Sequence, residues 1–432
     1  MDYQEKVSEF LRKYHQRPED IDLYELTDNM LKDMTNGLEN KESSLMMIPT
    51  YLATNGKADY SQPAIAIDAG GTNLRVALVS FSEDGKTMVL EGLKKQKMLG
   101  VDKPLSKDEF FEGICQLCLP LLDKTDKIGF CFSFPCEIQP NKDGRIIYFS
   151  KEVNVIGAEG ALIGEEMKKW FKAHGVDKEL SIVILNDTVA TLLGGPAIVN
   201  TKSVDGQIGL IVGTGVNTAY SEDVERITKL PVKAEGKMII NMEAGGFNKF
   251  PMGEFEKRMD NNSANPGDHE LEKCISGVYL GNVIAYTIKQ AAKEGLFSEH
   301  NRIADLPYFT MVEVDAFLRD PYGHNLLADA CSNDDDVETM YCFIDQAIDR
   351  GAKLICGNLS ACMIKMDGGK KRSTPVRIVV EGSTFHRCYS YKQKVEYYLR
   401  TYTNERLNRY YTFVTSDDAN MAGSAIAVLL NS

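Results

Sequence analysis

Two glycine-rich turns and a set of polar residues at the ends of apolar runs are where this chain could do chemistry. Asp68-Ala69-Gly70-Gly71-Thr72-Asn73 lies between two extended runs. Adjacent glycines let backbone N–H groups share one concavity, an anion nest, and the same residues also make an ordinary hairpin turn. Thr72 and Asn73 add polar hydrogens, and Arg75 follows on the returning run. Asp68 ends an apolar run beside that nest, which suits a hydrated Mg²⁺ carried on phosphates. Gly213-Thr214-Gly215 repeats the device further along. It starts like a dinucleotide fingerprint, but the third glycine position holds Thr218 and the following VNTAYSE reads as a strand where a helix is required. No G-x-x-x-x-G-K-[ST] occurs, and no H-R-D paired with D-F-G. Two facing hairpins that could pinch a polyphosphate remain.

The acid–base candidate is Asp187, in Asn186-Asp187-Thr188 at the end of SIVIL. An N-cap explains an Asp at such a junction, although a cap requires neither the preceding Asn nor a second polar cluster. Ser133 interrupts the aromatic run CFSFP, Asn217 interrupts a strand, and Glu243 ends KMIINME before Gly245-Gly246. Glu272 falls in the first turn of a helical pattern, where dipole compensation is a sufficient structural reason. Hydroxyls, carboxamides and carboxylates gathered at strand ends match a polyhydroxyl ligand, whose buried donors and acceptors must all be paired.

The elements that must hold these residues read as two similar blocks. Residues 1 to about 55 read as helical segments with a loop, Leu23, Leu26, Met30 and Met34 forming a buried stripe. After a loop at Asn55-Gly56-Lys57, PAIAIDAGG, NLRVALVSF and KTMVLEGL predict an antiparallel meander, the last two joined at Glu83-Asp84-Gly85. Ser106-Lys107-Asp108-Glu109 is a capping box opening a helix, followed by a strand IGFCFSF, a helix near 158–174 and the strand SIVIL. The second block begins near Gly206 with QIGLIVGTG, VNTAYSE and KMIINME. Helices at 269–295 and 337–364, a strand VRIVVEGS, a helix near 387–402 and a final strand and helix follow. Such a pattern predicts a duplicated α/β architecture with a cleft between the halves.

Composition narrows the options. The chain has 432 residues, 43% apolar and 26% charged, as in ordinary globular proteins. With 49 Lys plus Arg against 62 Asp plus Glu, the net charge of −13 disfavours nucleic acid as a partner. No apolar run is long enough to cross a bilayer, and the charged N-terminal stretch lacks a signal-peptide core. These features predict a cytoplasmic protein with no membrane partner. Ten scattered cysteines fit a reducing compartment. Cys115 and Cys118 share a helical face with Phe111 and Leu122, which reads as packing, although a redox or metal role fits the C-x-x-C spacing too. The six histidines show no ligand spacing. Asn333-Asp334-Asp335-Asp336 reads as a solvated loop or helix start.

Taken together, Asp68 to Arg75, Phe132-Ser133-Phe134-Pro135-Cys136, Asn186-Asp187-Thr188-Val189-Ala190 and Gly213-Thr214-Gly215-Val216-Asn217 resemble the successive signatures of hexokinases. Met46 to Tyr51, Asn241-Met242-Glu243, Glu272 to Gly277 and Glu381-Gly382-Ser383 extend the resemblance in order, over about residues 20 to 430. It implies an α/β actin-like ATPase (ribonuclease H-like) fold with a duplicated mixed-sheet core and two domains around a central cleft. The smaller would span 60–188 plus about 418–432, the larger 1–59 plus 189–417. It also implies ATP-dependent phosphorylation of a hexose, most simply glucose, at its 6-hydroxyl, by a monomer or homodimer. Asp187 would be the general base, and Ser133, Ser150, Lys151, Asn186, Asp187, Asn217, Glu243 and Glu272 would hold the sugar. Asp68, Gly70, Gly71, Thr72, Asn73, Arg75, Gly213, Thr214, Gly215, Gly382 and Ser383 would hold ATP, with Asp68 reaching Mg²⁺ through water. Another hexose as acceptor, or a sugar-binding regulator with little catalysis, is the alternative. The chain departs from the family pattern at Phe149-Ser150-Lys151-Glu152-Val153, at Ala244 where a Trp is usual, and at Ala419-Asn420-Met421-Ala422-Gly423 where a glycine-rich run is expected.

Overall fold

The computed structural model describes residues 3–53, 58–83, 85, 88–149, 153–198, 203–231, 235–415 and 418–431. The expected loop at Asn55-Gly56-Lys57, part of the turn at Glu83-Asp84-Gly85, and both Ser150 and Lys151 therefore lie outside the described residues.

In chain order the strands are β1 (Ile48–Ala53), β2 (Ala64–Ala69), β3 (Asn73–Phe81), β4 (Met88–Lys97), β5 (Leu105–Ser106), β6 (Lys127–Phe132), β7 (Cys136–Ile138) and β8 (Gly144–Ile146). They continue as β9 (Val155–Ile156), β10 (Ser181–Leu185), β11 (Gln207–Val212), β12 (Val216–Asp223), β13 (Lys237–Asn241), β14 (Val376–Glu381) and β15 (Tyr411–Thr415). One sheet runs β10-β6-β2-β3-β4 and the other β1-β13-β12-β11-β14-β15. Each contains an antiparallel meander (β2-β3-β4; β11-β12-β13) whose first strand pairs in parallel with the next strand (β6; β14), which in turn pairs in parallel with the one after it (β10; β15). The two blocks thus share one topology, as their strand–turn–strand pattern predicts.

Three boundaries differ from expectation. β1 is a strand, paired antiparallel with β13 from Ile48↔Asn241; it has no alternation of its own and takes its conformation from that partner. The helical pattern at 269–295 breaks into Glu270–Ile275 and Leu280–Lys293, because Gly277 N–H donates to Gly213 O (2.7 Å) and pulls the chain out of the helix. The helix expected near 387–402 runs Tyr391–Tyr398 and loosens into a π-turn at Leu399–Asn404.

Local signals hold elsewhere. The Ser106–Glu109 capping box opens the helix Lys107–Cys118. Cys115 and Cys118 are buried in it, their thiols raised by desolvation, which supports packing. Asn333 caps the 32-residue helix Asp334–Lys365, but Asp336 is buried, not solvated, taking bonds from Ser298 and Ser332. Arg350 of this helix, 1% exposed, makes a two-pronged bond to Glu256 (2.8 and 2.9 Å), a geometry that makes a buried ion pair tolerable. Among the described residues no helix is long and apolar enough to cross a membrane.

Between the sheets lie the helices Asp187–Ile198 and Ala419–Asn431, sharing an apolar core with strands of both halves: Ala66, Ala77 and Val183 on one side, Ala219 and Ile239 on the other. They cross very closely. A Cβ on Gly423 would lie 1.8 Å from Ala190 O, and one on Gly194 would lie 2.2 Å from Ala419 O. The Ala419–Gly423 departure thus forms the first turn of a buried helix, with Asn420 Oδ1 accepting from Thr191 Oγ1 (3.0 Å).

Candidate active site

Register brings the chemistry together. Asp68 of β2 aligns with Cys131 of β6, and Cys131 with Leu185 of β10, so Asp68, Cys131 to Ser133 and Asn186-Asp187 emerge at the carboxyl ends of three adjacent parallel strands. In the other sheet Ile211 aligns with Glu381, placing Gly213 and Gly382 at the equivalent ends. Carboxyl ends of parallel strands are where open α/β sheets bind ligands.

Asn186 shares the structural duty considered for Asp187. Its Oδ1 accepts from Thr188 N (2.8 Å), as an N-cap does. Asp187, the first helical residue, directs Oδ1 to Thr188 N (2.8 Å) and Thr188 Oγ1 (3.3 Å), and among the described residues its Oδ2 takes no hydrogen bond. Two further carboxylates, Asp68 and Glu243, stand close enough to feel its charge.

The carboxamides and acids of the second half form one network. Asn217 Nδ2 donates to Asn241 Oδ1 (2.8 Å), and more weakly to Asn186 Oδ1 and Glu243 Oε1 (both 3.5 Å). Asn241 Nδ2 donates to Glu243 Oε1 (2.7 Å), and Asn217 Oδ1 accepts from Thr218 N (2.7 Å) and Ala244 N (3.2 Å). Glu243 holds a left-handed backbone (φ 52°), a costly conformation for a residue with a side chain. Burial raises its carboxyl above the usual range; Asn241 and His269 oppose the rise, whereas Asp187 and Glu272 add to it. Glu272 lies in the first turn of its helix, as expected, and its Oε2 also accepts from Val216 N (2.8 Å), bracing the second hairpin. Asn241 joins this network without having been expected there, and His269 stands near enough for its charge to reach Glu243. A carboxamide ending the apolar run KMIIN is a usable signal for the first; the spacing of the histidines carries none for the second.

The two hairpins differ in construction. In the first, Gly70 N bonds to Asn73 O (3.0 Å) and Thr72 and Asn73 are exposed. Arg75 clasps Asp68 Oδ2 through Nε (2.9 Å) and Nη2 (2.7 Å), and donates from Nη1 to Asp418 (3.2 Å). Burial raises Asp68 despite this partner, and Asp187 adds to the rise. In the second, Gly213 O accepts from Gly277 N (2.7 Å) and Thr384 Oγ1 (2.9 Å). Gly382 lies against Gly213 with φ 114°; a Cβ there would meet Val212 O at 2.2 Å, so only glycine fits. Ser383 follows as the first residue of a short helix. Gly70, Gly71, Gly213 and Gly215 all lack positive φ. These hairpins need small residues for access and not for handedness. Thr214 is exposed at the second tip.

Ser133 N donates to Ala69 O (3.1 Å), and its hydroxyl lies 4.0 Å from the buried Cys131 thiol. Behind it Phe130, Phe132, Phe134 and Phe149 pack together in two edge-to-face and two tilted ring pairs. Ala244 is fully buried in the turn under Asn217. Among the described residues no group of three His, Cys, Asp or Glu could cage a metal ion. A hydrated Mg²⁺ brought in on phosphates fits Asp68 better, since Mg²⁺ keeps its waters and Asp68 gives only Oδ2 to Arg75.

A duplicated sheet core with its polar residues at facing strand ends defines the two-domain actin-like ATPase class. Comparison with known proteins agrees. Hexokinase family profiles match residues 6–196 and 207–430. Hexokinase-1 of Nicotiana tabacum is 28% identical over 96% of this chain and 88% of its own length. Human hexokinase-1 is 28% identical over 98% of this chain, which spans only 48% of that protein. The structure of Schistosoma mansoni hexokinase complexed with glucose superposes with a TM-score of 0.72 over 99% of this chain and 98% of that one, at 23% identity. The chain belongs to the hexokinase family.

Proposed function

We propose that this protein transfers the terminal phosphoryl group of ATP to the 6-hydroxyl of glucose. The observation that carries the reading is Asp187 Oδ2, which takes no hydrogen bond among the described residues: Oδ1 joins Asn186 in capping Thr188 N, and the charge of the Asp reaches both Asp68 and Glu243. The hydroxyl oxygen forms a bond to the γ-phosphorus as the bond to the bridging oxygen of ADP breaks, and the hydroxyl proton passes to Asp187. Such a base contributes about 10²- to 10⁴-fold; positioning and charge stabilisation supply most of the rest.

Asn186, Asn217, Glu243, Glu272 and Ser133 hold the sugar hydroxyls, with Ser150 and Lys151 from the adjoining loop. Gly70 to Asn73 and Gly213 to Gly215 hold the phosphates, with Arg75 adding a cation and Gly382-Ser383 meeting the nucleoside. Mg²⁺ supplies charge neutralisation on the phosphates, facing Asp68 through water. The units 60–188 with 418–432, and 1–59 with 189–417, would close about the crossed helices Asp187–Ile198 and Ala419–Asn431, excluding water as a competing acceptor. A cytoplasmic setting fits the reduced cysteines.

A coupled assay with glucose, ATP and Mg²⁺ tests this directly. Sustained formation of glucose 6-phosphate is expected; none with glucose, mannose, fructose or glucosamine would reject the kinase reading. Comparing kcat/KM across those sugars names the acceptor.

A further inference from the structure

Side chains along a strand alternate between the two faces of a sheet. Asn217 of β12 belongs to the polar network with Asn241 and Glu243, so the next residue, Thr218, turns to the core, where it is fully buried. Its Oγ1 donates to Asn358 Oδ1 (2.9 Å) on the helix Asp334–Lys365. One turn further along that helix the Cys362 thiol donates to Met242 Sδ (3.3 Å), and Met242 immediately precedes Glu243. Thr218 and Met242 are themselves joined, Met242 N donating to Thr218 O (3.0 Å). The helix thus grips the sheet at two points, each adjoining a residue of the polar network. Packing does not account for Asn358. It is 1% exposed between the buried apolar residues Ile355, Leu359 and Cys362, and among the described residues its Nδ2 has no hydrogen-bond partner. A buried amide with an unpaired donor costs stability, whereas an apolar pair of the same shape costs little. What the polar pair adds is direction: a hydrogen bond has a preferred distance and angle, and apolar contact has neither.

We infer that Asn358 is a positioning residue for the sugar site: through Thr218 it fixes the strand ends that carry Asn217 and Glu243, so a residue behind the sheet sets the affinity for the hexose. The inference rests on the reading of Asn217 and Glu243 as sugar ligands. The route is short. Thr218 N donates to Asn217 Oδ1 (2.7 Å), which also accepts from Ala244 N (3.2 Å). Asn217 Nδ2 donates to Asn241 Oδ1 (2.8 Å), and Asn241 Nδ2 in turn holds Glu243 Oε1 (2.7 Å). A shift of the Thr218 peptide therefore moves both side chains together. Ser360, two residues along the same helix, faces another way. Its hydroxyl shares a buried hydrogen bond with Thr403 Oγ1 (2.7 Å) and has no part in this route.

The test is calorimetric glucose binding, read beside Tm and the KM for ATP. T218V and N358L each leave one buried polar partner unpaired. Both should lower Tm and raise the Kd for glucose about 10-fold, with the KM for ATP within about 2-fold of wild type. The double variant T218V/N358L replaces the pair by apolar groups of similar size. Its Tm should return to the wild-type value or above while the Kd for glucose stays raised, and it decides the matter even where a single variant is too unstable to assay. T403V, which breaks the other buried bond of the same helix, should lower Tm and leave the Kd for glucose in place. Wild-type glucose affinity in N358L and T218V, or a double variant in which Kd recovers together with Tm, overturns the inference. E243Q separates the two claims. Wild-type affinity in E243Q rejects the sugar-ligand reading and the inference with it, whereas a weakened E243Q beside an unchanged N358L rejects the inference alone.

Discussion

The two glycine hairpins occupy equivalent places in equivalent sheets, yet they are built for different work. The first is open and charged: its tip is exposed, and behind it Arg75 grips Asp68 and Asp418. The second carries no charge of its own and is bolted down: Gly277 and Thr384 hold Gly213 O, Glu272 holds Val216 N, and Gly382 is pressed against its backbone. Duplication supplied one scaffold, and divergence assigned charge to one copy and rigid shape to the other. Phosphoryl transfer needs both, since a developing charge must be met by groups that do not reorganise.

Substitutions can break that contrast, the largest effect first. Gly382→Ala places a methyl group 2.2 Å from a carbonyl at a φ that penalises any side chain. We expect a loss of about 3 kcal/mol or more, read as a lower Tm, and a KM for ATP raised at least about 10-fold. Arg75→Gln attacks the other hairpin through charge. It should cost about 100-fold or more in kcat by removing a cation from the phosphates, and leave Asp68 buried without its main partner. The variant should lose stability as pH rises, because a carboxyl already raised by burial is raised further and its ionised form is disfavoured in the fold. Thr384→Val removes one bond to Gly213 O and sharpens the comparison. About 1 kcal/mol of stability and a few-fold rise in KM for ATP are expected, with kcat nearly unchanged. Comparable kcat losses from Arg75→Gln and Thr384→Val would abolish the distinction.

The repeated sheet topology and the polar residues at its strand ends are legible in the sequence, for a reason visible in the residues. Asp68, Ser133, Asn186, Asp187, Asn217 and Glu243 all interrupt or end apolar runs, and a polar residue at the end of a buried strand has few structural reasons to be there. What stayed hidden depends on partners distant in sequence. β1 is a strand only because β13 lies beside it, and the break at Ser276-Gly277 exists because Gly213 O captures Gly277 N. Asn241 acquires meaning only when Glu243 folds beside it to take its hydrogen bond. Asn186 and Asp187 both direct Oδ1 to Thr188 N (2.8 Å each), and spacing alone cannot say that the Asp keeps Oδ2 out of that cap.

Asp187→Asn, measured by steady-state turnover together with calorimetric glucose binding, tests the central claim. It keeps the size of the side chain and leaves the Asn186 cap in place. The account predicts that kcat falls by about 1,000-fold while the Kd for glucose changes by only a few-fold. Turnover within 10-fold of wild type would contradict it.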